Sequence, residues 1–450
     1  MSDPVPLTKG RPEAALSSRR ILKVAIPVVL SNATVPILGA VDTGVVGQLG
    51  QAAPIAAVGA GAIILSSVYW IFGFLRMGTT GLAAQALGAG DRPELVALLS
   101  RALLIAAVAG AGLIALQWAI FAGAFWLAPT SAEVEGLARS YMQVRIWSAP
   151  AAIAIYGLTG WLIAQERTAA VLVIQLAMNG ANIALDVWFV LGLGFGVEGV
   201  AWATFIAEWS GVMLAVWFCR DAFVGSDWRD RVQVFESARL KRMLAVNTDI
   251  LIRSVLLQIT FASFLLMGGL FGTVTLAANQ VLLQFLYITA YALDGFAFAV
   301  EALVGRFFGA GDRGRLRRSV VLCGAWGLGT VAILALAFAV FGGLLVDVMA
   351  KAPEVREVAR DYLPWMVAAP LIGFASWMLD GVFIGATRTR DMRNMMVLSF
   401  GVYLAALAVL VPWLDNHGLW AALMVSFAVR GVTLGWKYPG LERAATHEAA

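Results

Sequence analysis

Charge is scarce in this chain: only 13% of its 450 residues are Asp, Glu, Lys or Arg. That is too little to coat a water-soluble protein, because 60% of the residues are hydrophobic and the mean hydropathy is +0.82. Lipid must be the solvent for most of it. Histidine is scarcer still. His417 and His447 are too few and too far apart for a metal site or a histidine relay. The two cysteines, Cys219 and Cys323, show no metal or redox spacing and read as inert small residues. The first 20 residues are polar and basic without a short apolar core, so no secretory signal is expected there. The net charge of +4 does not point to nucleic acid, because the basic residues fall between apolar runs. No nucleophile constellation is present either. A transporter without a cofactor is expected, not an enzyme.

What the chain does have is a repeat. Gly-Ala-Gly-Asp-Arg occurs at Gly88–Arg92 and again at Gly309–Arg313, an offset of 309 − 88 = 221 residues. At the same offset Ala138, Arg139 and Tyr141 return as Ala359, Arg360 and Tyr362. Gly160, Ile163, Arg167 and Thr168 return as Gly381, Ile384, Arg388 and Thr389. One spacing held at three places implies a duplicated, almost wholly apolar unit. The repeated loop lacks the strand-to-helix setting of a phosphate cradle. Gly309 to Asp312 reads instead as a glycine helix end followed by an Asp cap.

A helix needs about 20 apolar residues to span a bilayer. Each half offers six such runs. They fall near 20–48, 54–87, 94–127, 133–165, 168–192 and 198–220, then 243–270, 274–308, 315–349, 355–386, 392–413 and 418–437. The expected fold is an all-α membrane protein of twelve transmembrane helices. Two six-helix lobes, 20–220 and 243–437, should be joined by a linker at 221–242 and flanked by tails at 1–19 and 438–450. Lys and Arg crowd every second connection, whereas 48–53, 193–198, 271–275 and 414–418 hold none. The basic side is therefore expected in the cytoplasm, with both termini there. Six helices per half give both halves the same orientation. A pseudo-two-fold axis along the membrane normal should relate them.

An ionisable group inside a membrane is a candidate for function. At 1.5 Å per residue, Asp42, Asp186 and Thr204 lie roughly 27, 24 and 21 Å from the basic side, and Asn182 is one turn before Asp186. Two carboxylates close together in low dielectric cannot both ionise cheaply. A proton or a sodium ion would relieve the cost, and Asp42, Asn182, Asp186 and Thr204 could ligate sodium. The alternative is two separate, satisfied aspartates. Pro27 and Pro36 can bend the first helix or only shape its packing. In the second half Asp294, Glu301 and Asp380 either bind cationic substrate or neutralise Arg76 and Arg430. Asp249 and Arg253 stand four apart and read as an ion pair. At offset 221 Asp42 meets Ser263 and Asp186 meets Leu407, so the halves differ in task.

At these residues the chain resembles multidrug exporters of the MATE family, in their DinF-type branch. The resemblance rests on Asn32 to Pro36 with Val41-Asp42-Thr43, on Phe74 to Met77, and on Asn182 to Trp188. In the second half it rests on Tyr291 to Ala297 and on Leu379 to Arg388 with Met392-Arg393-Asn394. It implies cation coupling at Asp42, with Asn182, Asp186, Thr204 and Tyr141 in one cluster and Pro27 as the bending proline. It also implies a monomer in a bacterial inner membrane that exchanges protons or sodium for amphipathic, often cationic drugs. The competing expectation is a lipid-linked oligosaccharide flippase of the same superfamily, against which the embedded acids argue.

Overall fold

The computed structural model describes residues 16–48, 50–225 and 227–446. Much of the tail expected at 1–19 lies outside these residues, as does His447. Among the described residues, ten helices are long and apolar enough to cross a membrane. Nine are single crossings: α2 (Ala52–Ala89), α3 (Arg92–Ala115), α4 (Ala132–Ala164), α5 (Thr168–Gly192), α6 (Gly196–Phe218), α7 (Ser237–Phe271), α8 (Thr273–Gly309), α9 (Arg313–Met349) and α10 (Pro353–Gly385). The tenth, Thr389–Ala444, breaks at Asp415 (φ 47°, ψ −128°). It therefore holds two crossings, α11 (389–414) and α12 (416–444). The first crossing, α1, consists of two shorter pieces, Ser18–Ala33 and Val35–Gly47. Together these make the twelve helices the apolar runs predict.

Hydropathy placed most boundaries within a turn, because chain direction changes where apolar sequence stops. The exceptions are α3, which ends at Ala115 with a separate helix Gln117–Leu127 covering the rest of the run expected to 127, α12, which continues to Ala444 into the tail expected at 438–450, and α7, which begins at Ser237 rather than 243. Its first turns carry Arg239, Lys241 and Arg242. Hydrogen bonding extends this helix past its apolar stretch, and hydropathy cannot see that. Caps follow the local sequence. The side chains of Asp91 and Asp312 accept from the backbone N–H groups of Glu94 (3.0 Å) and Arg315 (2.8 Å), which satisfies orphan donors at the starts of α3 and α9.

Small residues let the helices approach closely, as they must where lipid supplies no hydrophobic drive between them. A Cβ on Gly160 of α4 would fall 2.5 Å from the Arg76 carbonyl of α2, and one on Gly381 of α10 would fall 2.8 Å from the Ala297 carbonyl of α8. Gly381 and Ala297 are Gly160 and Arg76 displaced by 221. The same helix pair thus packs through the same glycine in each half. Both cysteines are buried. Trp126 and Trp413 are each 84% exposed at helix ends, where indole rings suit the membrane interface.

The end of the bundle that carries the repeated loops, called the repeat end below, is closed. Arg306 of α8 donates to Glu166 after α4 (3.3 Å), Gln85 of α2 donates to Thr387 after α10 (3.0 Å), and Arg239 of α7 pairs with Glu94 of α3 (2.6 Å). Among the described residues, no hydrogen bond or ion pair joins the halves at the opposite end.

Candidate functional site

The break in α1 follows from Pro36. Proline has no N–H, and its ring would clash with the carbonyl of residue 32 in a continuous helix. The helix stops at Ala33 and restarts with Pro36 in its first turn. Pro27, the bending proline the resemblance implies, lies inside the piece Ser18–Ala33. Polar contacts hold the break on both sides. Thr34 donates to the Ser31 carbonyl (2.7 Å) and accepts from Asn179 of α5 (2.9 Å). Asn32 donates to Asp294 of α8 (3.0 Å).

Two turns past the break, Asp42 meets α5. Gln175, Asn179, Asn182 and Asp186 form one stripe along α5, at helical spacing. Directly after Asp186 the helix widens into a π-helical stretch, Val187–Gly192, a local form common at functional sites. Asn182 sits between the two acids. With its amide nitrogen turned towards them it donates to Asp42 Oδ1 and Asp186 Oδ2, each 3.1 Å away, and its oxygen accepts from Thr204 of α6 at 3.1 Å. The opposite amide orientation faces an oxygen to two carboxylates, which suits only protonated acids. Asp186 is fully buried and its Oδ1 has no partner. Neither Asp42 nor Asp186 has a Lys or Arg partner among the described residues. Asp42, Asn182, Asp186 and Thr204 thus converge from three helices.

Tyr141 stands in a neighbouring network. Its hydroxyl accepts from Arg145 Nε (3.3 Å), and Arg145 also reaches Ser148 (3.3 Å) and Glu208 of α6 (2.7 Å). Tyr69 of α2 donates to the Arg145 carbonyl (3.0 Å). Glu208 is a site residue that the sequence reading missed. The signal was present: the helix's other acid, Glu198, sits in its first turn, whereas Glu208 lies deep in the apolar stretch, one turn after Thr204 on the same face.

The second-half acids meet arginines. Glu301 pairs with Arg76 (3.4 Å), and the Arg76 guanidinium lies 3.9 Å from the Phe298 ring centre. Asp380 pairs with Arg253 and lies 3.7 Å from Arg430. The expected Asp249–Arg253 pair does not form. Asp249 binds Arg393 (2.5 Å) and Thr389 (3.1 Å) instead. Arg76, Glu301, Arg253 and Asp380 border a cavity of about 90 Å³ between α2, α7, α8 and α10, with Asp294 on its wall.

The two networks differ in charge. Asp294, Glu301 and Asp380 are matched in number by Arg76, Arg253 and Arg430. In the first half, among the described residues, Glu208 pairs with Arg145, whereas Asp42 and Asp186 meet only the Asn182 amide.

Comparison with known proteins places this architecture. The MatE family model matches residues 27–188 and again 250–410, once in each half. The chain belongs to the MATE family. It is 37% identical over 420 residues to DNA damage-inducible protein F of Escherichia coli K12, covering 93% of this chain and 91% of that one. It is 26% identical over 468 residues to the probable multidrug resistance protein NorM of Pseudomonas aeruginosa, covering 96% and 92%. Among solved structures it resembles the Vibrio cholerae MATE transporter VcmN in its bent form, with a TM-score of 0.85 and 19% identity over 96% of this chain and 98% of that one. This MATE chain is therefore a multi-pass membrane transporter and not an enzyme.

Proposed function

We propose that this MATE transporter is a cation-coupled antiporter that exports amphipathic, often cationic organic compounds, with coupling at Asp42 and Asp186. The observation that carries this reading is the unmatched pair of acids. A charge at membrane depth is costly without a partner; in the second half Glu301 pairs with Arg76 and Asp380 with Arg253, and Asp294 is met by Asn32. A proton on the pair, or a sodium ion held by Asp42, Asp186, Asn182 and Thr204, supplies the missing positive charge. Either ion fits the oxygens present. Relatives bearing the name multidrug resistance protein support export of drugs.

The repeat end is taken as cytoplasmic, since Lys and Arg concentrate there. On that reading the protein is a monomer in a bacterial inner membrane with both termini inside, and the closure described above leaves it open outwards. Cation binding neutralises the Asp42–Asp186 pair and changes what Asn182 can donate to. α1 responds at its break, and substrate held between the halves leaves outwards. The halves then rock to expose the other side. A flippase for pyrophosphate-linked lipid would need net positive charge between the halves, and the balanced second-half network does not offer it.

Purified protein in liposomes, with pH and sodium gradients imposed separately, tests the reading. Dye export driven by at least one gradient is expected, and Asp42→Asn should remove it while leaving folded protein in the membrane. Wild-type export rates in Asp42→Asn would sink the assignment.

A further inference from the structure

Four helix ends meet at the repeat end. Two of them close on a left-handed glycine, Gly90 (φ 74°) after α2 and Gly311 (φ 67°) after α8. The other two close on Glu166 (φ 60°) after α4 and Thr387 (φ 49°) after α10. All four use the same motif. In the latter pair, Arg167 N–H reaches the Leu162 carbonyl and Arg388 N–H reaches the Phe383 carbonyl, both at 2.9 Å. This motif ordinarily takes glycine at the left-handed position. A side chain there is strained, and a β-branched threonine especially so. Glu166 and Thr387 are also separated by 221 residues, so the exception recurs at the repeat offset.

Both side chains cross between the halves. Glu166 accepts across the halves from Arg306 of α8 (3.3 Å) and, within its own half, through both oxygens from Arg20 of α1 (2.6 and 2.5 Å). Thr387 accepts from Gln85 of α2 (3.0 Å) and from Arg242 of α7 (3.3 Å). Gln85 and Arg306 are again 221 apart. One contact therefore exists twice, as an ionic version and a neutral version. The backbone beneath it is equally tight. A Cβ on Gly88 would fall 1.9 Å from the Arg306 carbonyl, and one on Gly309 would fall 2.1 Å from the Gln85 carbonyl.

We propose that Glu166 and Thr387 are gating residues. Each is kept in a conformation that glycine would fill more easily, so that its side chain can latch one half of the transporter to the other. The inference rests on the alternating-access reading above and identifies what seals the inner side. Glu166 is the stronger latch, since its bonds join charged groups.

Glycine substitution separates this role from a structural one. A residue needed only for its turn would tolerate Glu166→Gly or Thr387→Gly, because glycine relieves the strain. A latch would be lost. Spin labels at Arg92→Cys and Gly314→Cys, both exposed at the repeat end, can report the separation of the halves by pulsed electron resonance, with Cys219 and Cys323 replaced by Ala. Glu166→Gly should enlarge the long-distance population several-fold, and Thr387→Gly should do so less. Glu166→Gly also breaks the pair with Arg20, which is only 14% exposed, so its thermal midpoint should fall whichever role holds and the distances decide, whereas the midpoint of Thr387→Gly should be unchanged or higher. Distance distributions identical to the parent in both variants would overturn the proposal, as would a lowered midpoint in Thr387→Gly without a distance change. If the parent distances ignore ion gradients and dye while the glycine variants still lengthen them, the latch stands and alternating access fails.

Discussion

Single residues carry the chemistry here, and they were unequally legible. Asp42 and Asp186 announce themselves as acids in apolar helices, and their depths could be counted from helix starts. Partners across helices could not be read that way. Spacing of four suggested Asp249 with Arg253, yet each binds a group from another helix, Arg393 and Asp380 respectively. Local spacing reports only neighbours on one helix face. Glu208 shows the same gap, because its meaning depends on Arg145 from α4. That pair is largely buried, with side-chain exposures of 9% and 17%. Removing one member of a buried pair leaves a stranded charge and costs about 3–5 kcal/mol, whereas removing both is often close to neutral. Arg145→Met and Glu208→Gln should each lower the thermal unfolding midpoint in detergent clearly. The double variant should recover most of the loss. Additive losses would show that the two side chains act through different contacts.

At the scale of elements, the twelve helices were visible because each must be apolar over its membrane length. What hydropathy could not locate was the discontinuity in α1. Two prolines were candidates, and the outcome depends on where the partners lie. Pro27 sits in a helix that remains intact, whereas at Pro36 the side chains of Thr34 and Asn32 tie the break to Ser31, Asn179 and Asp294. An interior proline costs a helix about 3 kcal/mol, so a break that is supported from both sides is the lower-energy arrangement. Pro36→Ala restores an N–H that can reach the Asn32 carbonyl. Slower amide hydrogen exchange across 31–36 is expected, with unchanged or raised thermal stability and at least a severalfold loss of dye export. Full export together with slowed exchange would mean that the break is a packing feature and that coupling does not pass through it.

For the whole molecule, the repeat foretold equal scaffolds, and the same offset reveals where they part. Gly160 and Gly381 pack alike, whereas Asp42 and Asp186 have no acidic counterparts at Ser263 and Leu407. The resulting charge distribution makes a sharper claim than either acid alone. If coupling arises from unmatched negative charge in the first half, the balanced second-half network should be replaceable as a neutral unit. Glu301→Gln alone strands Arg76 and should destabilise the protein, because Glu301 is 1% exposed in its pair. Glu301→Gln with Arg76→Met removes both charges and should restore folding. Ion flux in liposomes should then still accompany dye movement in this double variant, even if its substrate range changes, and should vanish in Asp42→Asn. A folded double variant without coupled flux would move the coupling site to the interface between the halves, because Arg76 and Glu301 come one from each.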